Sequence, residues 1–411
     1  MTEEKRSTVL VLASTYPRWQ GDPEPAFVHE LSRRLAEHFQ VVALVPDAPG
    51  ADPSGELDGV GVVRFRYAPR RWQTLVNHGG IVANLRHHPW KWLLVPGFVL
   101  CQYLAAKRLV RARKFNLVHA HWLIPQGLIA RRLKKVAAVP YMVTSHGGDL
   151  FGLRGRLLEA LKRKVSADCS AMTVVSTAMQ TEASRIGLQP PQMAVLPMGV
   201  DLQQRFVVAP SVKRAENELL FVGRLVEKKG LRALLKAMPA VLLQRPSTVL
   251  TIAGFGPEEP ALRTLANSLG IESQVKFLGA MSQEKLPELY RRAAVFVAPF
   301  FRDQSGNQEG LPVVLMEAIG CGCPVVVGNV AGIQDLLGEA ASEVCVDPTD
   351  TSALAKAILA ALENPKRAQE RANRIREVAV ARIDWNVIAN GYAHVIRQCV
   401  TEAAGARGSL S

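Results

Sequence analysis

Two carboxylates at a fixed spacing offer the clearest chemistry in this chain. Glu309 and Glu317 stand eight residues apart, and Pro312 lies between them. Apolar residues recur at helical spacing after Pro312, so we expect a buried helix that begins near this proline. Glu309 then lies in the loop before the helix, and Glu317 lies one to two turns inside it. The N–H groups of a helix start suit an anion, and carboxylates accept hydrogen bonds from hydroxyl groups. The segment therefore predicts a site for a phosphorylated sugar; the alternative is a solvated Glu309 and a Glu317 that caps a neighbouring element.

Two cations after a strand could neutralise the phosphate of such a ligand. Gly223 and Arg224 follow an apolar strand, and Lys229 comes five residues after Arg224. Glycine lets a backbone approach a ligand closely, and Arg and Lys neutralise phosphate oxygens. Ligands of open α/β sheets bind at the carboxyl ends of strands, where these residues are expected. The alternative is a pair of surface charges ahead of a helix.

Histidines stand at the ends of two strands in the first half. His121 ends the run from Asn116, and His146 and Asp149 follow the strand Tyr141–Thr144. Histidines at carboxyl strand ends face a ligand site, whereas core histidines usually need an internal partner. Clustered histidines can also bind zinc, but no carboxylate or cysteine set completes such a site, so we expect no metal. A purely structural role for His121 remains the alternative.

Short apolar strands alternate with helical segments along the whole chain. This alternation is typical of the α/β class, in which parallel sheets are covered by helices on both faces. The predicted strands are Thr8–Ala13, Val41–Val45, Val62–Arg66, Leu117–Ala120, Tyr141–Thr144, Met172–Val175, Ala194–Leu196, Leu219–Val222, Val249–Ala253, Val275–Leu278, Val295–Ala298, Val325–Val327 and Val344–Val346. The predicted helices include Ala26–His38, Leu231–Leu243, Ala261–Leu269, Ser352–Leu362 and Asp384–Val400.

The length and composition of the chain fit two such domains. The 411 residues are 48% hydrophobic and 21% charged, which is a globular composition, and they suffice for two domains of about 200 residues. The polar segment Val200–Glu218 is the best linker. The six cysteines are scattered, and the amino terminus is polar. We therefore expect reduced thiols and a cytoplasmic protein.

The positive charge is concentrated in the first half. Residues 1–200 hold 26 Lys and Arg against 14 Asp and Glu, and no acidic residue occurs between Asp58 and Asp149. A basic surface of this kind attracts anionic membranes, nucleic acids or acidic substrates.

Tryptophans within this acid-free stretch favour the membrane among these partners. Trp72, Trp90 and Trp92 stand beside cations and aliphatic residues, a composition that suits a membrane interface. The apolar run Trp92–Ala106 contains Pro96 and Gly97 and is too short to span a bilayer. We expect the first domain to rest on an anionic leaflet, at the inner face of the plasma membrane; the alternative is a core helix with solvated ends.

Three segments together resemble a known enzyme family. The run EGLPVVLMEAIGCGCPVV, Glu309–Val326, resembles the Glu-x7-Glu signature of the retaining glycosyltransferases of family 4 (glycosyl transferases group 1). Gly223–Gly230 resembles the family's G-R-x(3,4)-K-G segment, and Gly254–Pro257 resembles its A-G-x-G-P loop. The resemblance implies the GT-B architecture, two Rossmann-like domains facing each other across a cleft. It implies an acceptor-binding domain at residues 1–205, with helix 384–411 packing back on it, and a nucleotide-sugar-binding domain at residues 206–383.

The resemblance also implies roles for individual residues. Arg224 and Lys229 hold the donor diphosphate. Glu309 holds hydroxyl groups of the donor sugar, and Glu317 holds the ribose. His121 matches a position that contacts the transferred sugar. The other implied donor-binding residues are Gly223, Gly254, Phe277, Leu278, Gly310 and Leu311, with Phe277 and Leu278 beside the nucleotide base. The implied acceptor-binding residues are Gly21, His146 and Asp149.

The implied reaction is the transfer of a hexose from a nucleotide-diphosphate-sugar to an acceptor, with retention of anomeric configuration. By the same resemblance, the acceptor is a lipid-linked saccharide of cell-surface polysaccharide biosynthesis. The absence of an Asp-x-Asp motif near these elements predicts metal-independent catalysis without a cofactor. An epimerase or phosphorylase on the same fold is one alternative. A basic membrane- or nucleic-acid-binding protein is another, but it leaves the Glu pair unexplained, and the cations are interleaved with Leu and Trp rather than Phe and Tyr. We expect no nucleic-acid partner.

Overall fold

Two parallel sheets organise the structure, a computed structural model that describes residues 6–22, 24–76, 80–302, 309–330 and 332–408. The chain divides into two compact units. The first comprises Met1–Met198 and Asn386–Ser411, and the second comprises Gly199–Trp385. Each unit contains one sheet.

The first sheet has eight strands, of which all but one run parallel to their neighbours. Val- and Leu-rich runs form its central strands, which are buried along their whole length because helices cover both faces. The strands are β1 (Thr8–Leu12), β2 (Gln40–Pro46), β3 (Ser54–Leu57), β4 (Val60–Phe65), β5 (Leu117–His121), β6 (Tyr141–Ser145), β7 (Ala171–Val174) and β8 (Met193–Val195). Their order is β3-β4-β2-β1-β5-β6-β7-β8, and only the β3–β4 pair is antiparallel among the described strands.

Helices connect these strands. They are α1 (Phe27–Leu35), α2 (Gly80–His87), α3 (Leu94–Ala112), α4 (Leu128–Ala137), α5 (Gly148–Phe151), α6 (Arg156–Asp168) and α7 (Thr177–Arg185). Short helical turns cover Arg70–Trp72, Pro89–Leu93 and Leu123–Gly127.

The second sheet has six parallel strands. They are β9 (Glu218–Val222), β10 (Val249–Ala253), β11 (Val275–Gly279), β12 (Val295–Ala298), β13 (Val325–Gly328) and β14 (Cys345–Val346), in the order β11-β10-β9-β12-β13-β14. Successive residues of a strand point to opposite faces. Leu219 and Phe221 accordingly pack on one face of the sheet, while Leu220 and Val222 pack on the other.

The helices of the second unit cover both of these faces. They are α8 (Leu231–Gln244), α9 (Glu259–Ser268), α10 (Leu286–Arg292), α11 (Val313–Gly320), α12 (Ile333–Leu337), α13 (Ala341–Val344), α14 (Thr351–Glu363) and α15 (Pro365–Ile383). Short turns cover Glu227–Lys229, Glu272–Gln274 and Gly338–Ala340.

The last helix, α16 (Trp385–Gly408), begins in the second unit and continues into the first. Trp385 packs directly on Gly199, where a side chain would collide with its ring. Further along the helix, the Tyr392 hydroxyl donates a hydrogen bond to Leu196 O at 2.9 Å. The predicted carboxy-terminal helix is thus present, and it is longer than its apolar pattern indicated.

The predicted α/β class and each of the predicted strands are confirmed, with ends displaced by at most two residues. The missed strand is β3, because Ser54–Leu57 is polar, largely exposed and lacks the apolar run that marks the other strands. The helix predicted near Pro312 begins at Val313, because Pro312 itself has extended ψ of 113° and lies just outside it.

Helix α3 presents an apolar outer face. Its buried residues recur every fourth position, at Leu94, Phe98, Gln102 and Ala106. Large apolar side chains lie exposed on the other side and just before the helix: Trp90, Trp92, Leu93, Leu100 and Leu104.

The continuous helical run Pro89–Ala112 has 24 residues and contains an 18-residue stretch with a mean hydropathy of 1.4, so by length and composition alone it could cross a membrane. It is the one such helix among the described residues, and core helices of soluble proteins also meet this criterion. Only 22% of this apolar stretch is buried, however, whereas a core helix is mostly buried. The sequence analysis considered only the apolar run Trp92–Ala106 and found it too short to span a bilayer. The helical run in the structure, Pro89–Ala112, is longer.

Candidate functional site

The loops that follow three neighbouring strands of the second sheet are joined by backbone hydrogen bonds. Gly223 N donates to Ala253 O at 3.0 Å, and Gly254 N donates to Gly279 O at 2.8 Å. A side chain at Gly254 would collide with the carbonyl group of Gly223, so glycine is required where these loops meet. The loop that carries Arg224 therefore has a fixed position at the carboxyl edge of the sheet.

The Lys229 side chain is placed beside this edge by a tight turn. The turn Glu227–Lys229 ends at Gly230, which has φ of 73° and no space for a side chain. The Lys229 ammonium lies 4.7 Å from the centre of the Phe300 ring, a cation–π contact. It also lies 3.3 Å from Glu309 Oε2.

Glu309 is paired with two lysines. Lys228 Nζ lies 2.9 Å from Oε1, and Lys229 Nζ lies 3.3 Å from Oε2. Burial alone would raise the pKa of Glu309, but the charges of the two lysines lower it to about 2. Burial lowers the pKa of Lys229, and the Glu309 charge opposes this shift. Glu309 is therefore an ionised, partly buried hydrogen-bond acceptor. Lys228 was not among the predicted site residues, because its contact with a residue far along the chain leaves no local sequence pattern.

Glu317 lies on α11, eight residues after Glu309, and is almost fully buried. Its Oε2 accepts a hydrogen bond from the Tyr290 hydroxyl at 2.9 Å. Burial raises the pKa of Glu317 to about 7, against the lowering effect of hydrogen bonds from Tyr290 and Gln283. The two carboxylates of this segment therefore differ in chemistry: Glu309 is held as an anion, whereas Glu317 exchanges its proton near neutrality.

The other predicted donor-binding residues differ in their exposure: some pack in the core of the second unit, and one is exposed. Gly310 is buried, and Leu311 packs against the apolar core of the second unit. Phe277 packs on the α8 and α9 face of β11, with the Arg263 guanidinium 4.2 Å from its ring centre. Leu278 points to the opposite face and is 40% exposed. Phe277 and Leu278 therefore do not share one surface, and their contact with the nucleotide base stays a prediction.

In the second unit the structure thus brings Gly223, Lys229 and Glu309 together. The position of a side chain at Gly223 would be 3.7 Å from the Lys229 aliphatic chain. The positive charge of Arg224 contributes to lowering the pKa of Lys229, so these two cations lie within electrostatic reach of each other.

The two predicted histidines of the first unit share a hydrogen bond. His121 Nδ1 and His146 Nε2 are 2.8 Å apart, and the planes of the two rings are nearly parallel, at 10°. His119, which sequence analysis did not assign, lies beside His121 with ring centres 4.3 Å apart. Its Nε2 lies 2.8 Å from Thr144 Oγ1.

All three imidazoles are neutral at physiological pH. Burial lowers the pKa of His119 and of His146 to about 3, and burial with repulsion from both neighbours holds the pKa of His121 well below its usual value. Among the described residues, the buried His121 Nε2 has no hydrogen-bond partner. A buried polar atom without a partner is a candidate contact for a ligand.

Asp149 fixes the loops that carry these histidines. Its carboxylate accepts hydrogen bonds from Leu123 N at 2.7 Å, Ser145 Oγ at 2.8 Å and His146 N at 3.3 Å. Both carboxylate oxygens therefore serve the chain itself, and a direct contact of Asp149 with an acceptor stays a prediction.

Gly21 lies in the loop between β1 and α1, with φ of 78°. Asp22 holds this loop through hydrogen bonds from Arg18 N at 2.7 Å and from the Arg18 guanidinium at 2.6 and 2.8 Å. Arg64 donates a further bond to Pro17 O at 2.7 Å. The space beside Gly21 is open, as an acceptor contact would require.

No group of three His, Cys, Asp or Glu side chains is arranged to hold a metal ion in the described parts of the chain.

Comparison with protein families identifies the chain. The model of glycosyltransferase family 4 matches residues 26–204, and the model of glycosyl transferases group 1 matches residues 204–378. This chain is a family 4 glycosyltransferase. The two matches adjoin and leave only the ends of the glycosyltransferase unmatched, and the family implied by the Glu-x7-Glu segment is confirmed.

Curated relatives of this glycosyltransferase are named for different products and acceptors. A glycogen synthase of Mycobacterium tuberculosis is 27% identical over 406 residues, covering 94% of each chain. A GDP-mannose-dependent alpha-(1-6)-phosphatidylinositol monomannoside mannosyltransferase of Mycolicibacterium smegmatis is 29% identical over 292 residues, covering 68% of this chain and 75% of the relative.

Among solved structures, a sucrose-phosphate synthase from Thermosynechococcus elongatus superposes with a TM-score of 0.79 at 21% identity, covering 97% of this chain and 100% of that one. The likeness shows that the fold is that of the GT-B glycosyltransferases.

Proposed function

We propose that this glycosyltransferase transfers a hexose from a nucleotide-diphosphate-sugar to a lipid-linked saccharide, with retention of configuration and without a metal ion. One observation carries the donor part. Lys229, Lys228 and Glu309 form a partly buried charge cluster beside the loop of Arg224, with Glu309 three residues ahead of Pro312 and the start of α11. Cations for a diphosphate and an ionised acceptor for sugar hydroxyls are thus adjacent.

The proposed chemistry makes use of these charges. The acceptor hydroxyl attacks the anomeric carbon from the face that the diphosphate leaves, through an oxocarbenium-like state. The bond from the anomeric carbon to the phosphate oxygen breaks as the bond to the acceptor oxygen forms. The departing phosphate takes the acceptor's proton. Arg224, Lys229 and the N–H groups at the start of α11 stabilise the departing charge, so the step needs no metal ion.

On the first unit, His121 supports contact with the transferred sugar. Because its Nδ1 is engaged with His146 at 2.8 Å, the tautomer in which His146 donates leaves the His121 Nε2–H as a donor. That atom is buried and has no partner among the described residues, so it can bond to a sugar hydroxyl. Gly21 and His146 are proposed to border the acceptor.

The outer face of α3 supports an acceptor held at a membrane. Trp92 and Leu93 are 59% and 82% exposed, and Leu100 is 55% exposed. The acid-free sequence around them carries 15 Lys and Arg residues, and each cation near an anionic leaflet contributes about 1 kcal/mol. The similarity to a mannosyltransferase named for a phosphatidylinositol acceptor is consistent with a lipid-linked substrate. We propose a cytoplasmic protein that rests on the inner face of the plasma membrane.

Product analysis tests this function. The full chain is incubated with UDP-, GDP- and ADP-sugars, with and without vesicle-borne saccharide lipids and with and without EDTA, and the products are examined by mass spectrometry and NMR. We expect glycosylated lipid with the donor's anomeric configuration, formed equally in EDTA. Epimerised donor in the absence of acceptor, or a sugar phosphate formed with inorganic phosphate, would instead show an epimerase or a phosphorylase.

A further inference from the structure

Lys228 lies in the charge cluster but is distinct from the cations expected to hold the diphosphate. It occupies the turn Glu227–Lys229, and its carbonyl accepts a hydrogen bond from Phe301 N at 3.1 Å. Phe301 follows β12 and lies eight residues before Glu309. The backbone of Lys228 is thereby tied to Phe301, shortly after β12.

The two lysines contact different oxygens of the Glu309 carboxylate. Lys228 lies against Oε1 and Lys229 against Oε2, at 2.9 and 3.3 Å, and the Glu309 side chain is only 14% exposed. When a donor diphosphate draws the Lys229 ammonium toward its own oxygens, Glu309 loses one of its two counterions. A buried carboxylate without a paired cation is strongly destabilised and takes up a proton instead. Lys228 is the cation that remains.

We propose that Lys228 is a positioning residue that keeps Glu309 ionised and directed at the donor sugar while Lys229 serves the diphosphate. This inference rests on the proposed function, since it assigns the sugar-binding carboxylate a dedicated counterion. It gives two adjacent lysines different roles. Lys229 recognises the nucleotide part of the donor, and Lys228 acts through Glu309 on the sugar part.

The division predicts different losses for the two parts of the donor. Replacing Lys228 weakens contacts made by the sugar hydroxyls but leaves the nucleoside diphosphate contacts intact. Replacing Lys229 weakens both. Arg at position 228 retains the charge and can still pair with Glu309, so it restores most of the sugar recognition.

Calorimetry on the full chain tests the division with three pairs of probes: UDP and UDP-glucose, GDP and GDP-mannose, and ADP and ADP-glucose. For the pair that binds, we expect Lys228→Met to weaken the nucleotide sugar by about tenfold or more and the free nucleotide by less than about threefold. Lys229→Met weakens both, and Lys228→Arg behaves nearly as the wild type. Lys236→Met, at an exposed position of α8, is the matched control and changes neither affinity.

The pH dependence of nucleotide-sugar affinity is a second measurement, and it would not change if Lys228 had only a structural role. Among the described residues, the charges that act most strongly on Glu309 are those of Lys228 and Lys229, and Arg224 acts on Lys229. As the pH is lowered, the affinity for the nucleotide sugar is lost at a higher pH in Lys228→Met than in the wild type, because Glu309 protonates more readily without Lys228.

Three results would overturn the inference. Equal losses for the free nucleotide and its sugar conjugate in Lys228→Met would make Lys228 a phosphate ligand, and unchanged affinities would make it a surface charge. Both leave the proposed function standing. Wild-type protein that binds none of the probes would overturn the proposed function together with this inference.

Discussion

The Tyr290 hydroxyl donates a 2.9 Å hydrogen bond to Glu317 in the interior of the second unit, where both side chains are almost completely buried. The bond joins α10 to α11 and fixes the position of the Glu317 carboxylate. Burial of Glu317 raises its pKa to about 7 despite this bond, so a single buried acid changes its charge within the physiological range. Glu309, on the same segment, stays ionised because two lysines surround it.

Glu317→Gln is expected to remove a pH dependence of stability. The pKa of Glu317 is about 7 in the folded protein against 4.5 for an unperturbed Glu. The folded state therefore binds the proton more tightly, and this contribution to stability is complete below pH 4.5 and is lost as the pH rises through 7. Relative to the wild type, Glu317→Gln gains about 2–3 kcal/mol of unfolding free energy between pH 4.5 and pH 8. Urea unfolding of both proteins at the two pH values measures this; a constant difference between them would contradict the assignment.

Removing His146 is expected to leave His121 without its ring partner. His146→Leu deprives the buried His121 Nδ1 of its hydrogen bond and should destabilise the first unit by about 1–3 kcal/mol. The free energy of unfolding measures the effect. His394→Leu, at an exposed position of α16, is the control and should change it little. Equal effects of the two substitutions would show that the His121–His146 bond does not contribute.

Gly254→Ala tests whether the loops after β9 and β10 must pack closely. The new methyl group would collide with the Gly223 carbonyl, and overpacking of this kind costs about 1–3 kcal/mol. Because the displaced loop carries Arg224, nucleotide affinity should fall as well. Gly55→Ala in β3, where no atom lies within 4 Å of the new methyl group, is the control for unfolding and calorimetric measurements. Wild-type affinity in Gly254→Ala would show that the loop tolerates displacement.

The outer face of α3 is tested by vesicle flotation. Leu100→Glu combined with Leu104→Glu places two negative charges on the exposed apolar face and should abolish binding to anionic vesicles. A matched pair, Val136→Glu with Leu157→Glu, adds the same charge at exposed positions of α4 and α6. If both pairs weaken binding equally, net charge rather than this face determines membrane attachment. If wild-type protein shows no preference for anionic lipid, the membrane proposal fails.

The strands were predictable from sequence because each buried parallel strand is a short run of Val, Leu, Ile or Ala, such as Val249–Ala253. The polar edge strand Ser54–Leu57 was not, because its pairing with β4 depends on a hairpin rather than on burial. Strand ends also predicted where Arg224 and His121 lie, since the carboxyl ends of parallel strands share one edge of a sheet.

Contacts between segments distant in sequence were not predictable in the same way. The pairing of Lys228 with Glu309 joins residues 81 positions apart and depends on how the turn after β9 meets the loop before α11. Phe277 and Leu278 are both predicted beside the nucleotide base, and the structure shows that their side chains lie on opposite faces of the sheet. The apolar outer face of α3 can be recognised only when the exposure of each side chain is known, and the sequence pattern alone does not give that exposure.

The central claim is that the second unit binds a nucleoside diphosphate through Arg224 and Lys229. Titration calorimetry of the wild-type chain with UDP, GDP and ADP, repeated on Arg224→Ala and Lys229→Ala, tests it most directly. We predict that the wild type binds at least one of the three, and that each variant remains folded but loses about 10- to 100-fold in affinity for it. Wild-type affinity in both folded variants would contradict the account.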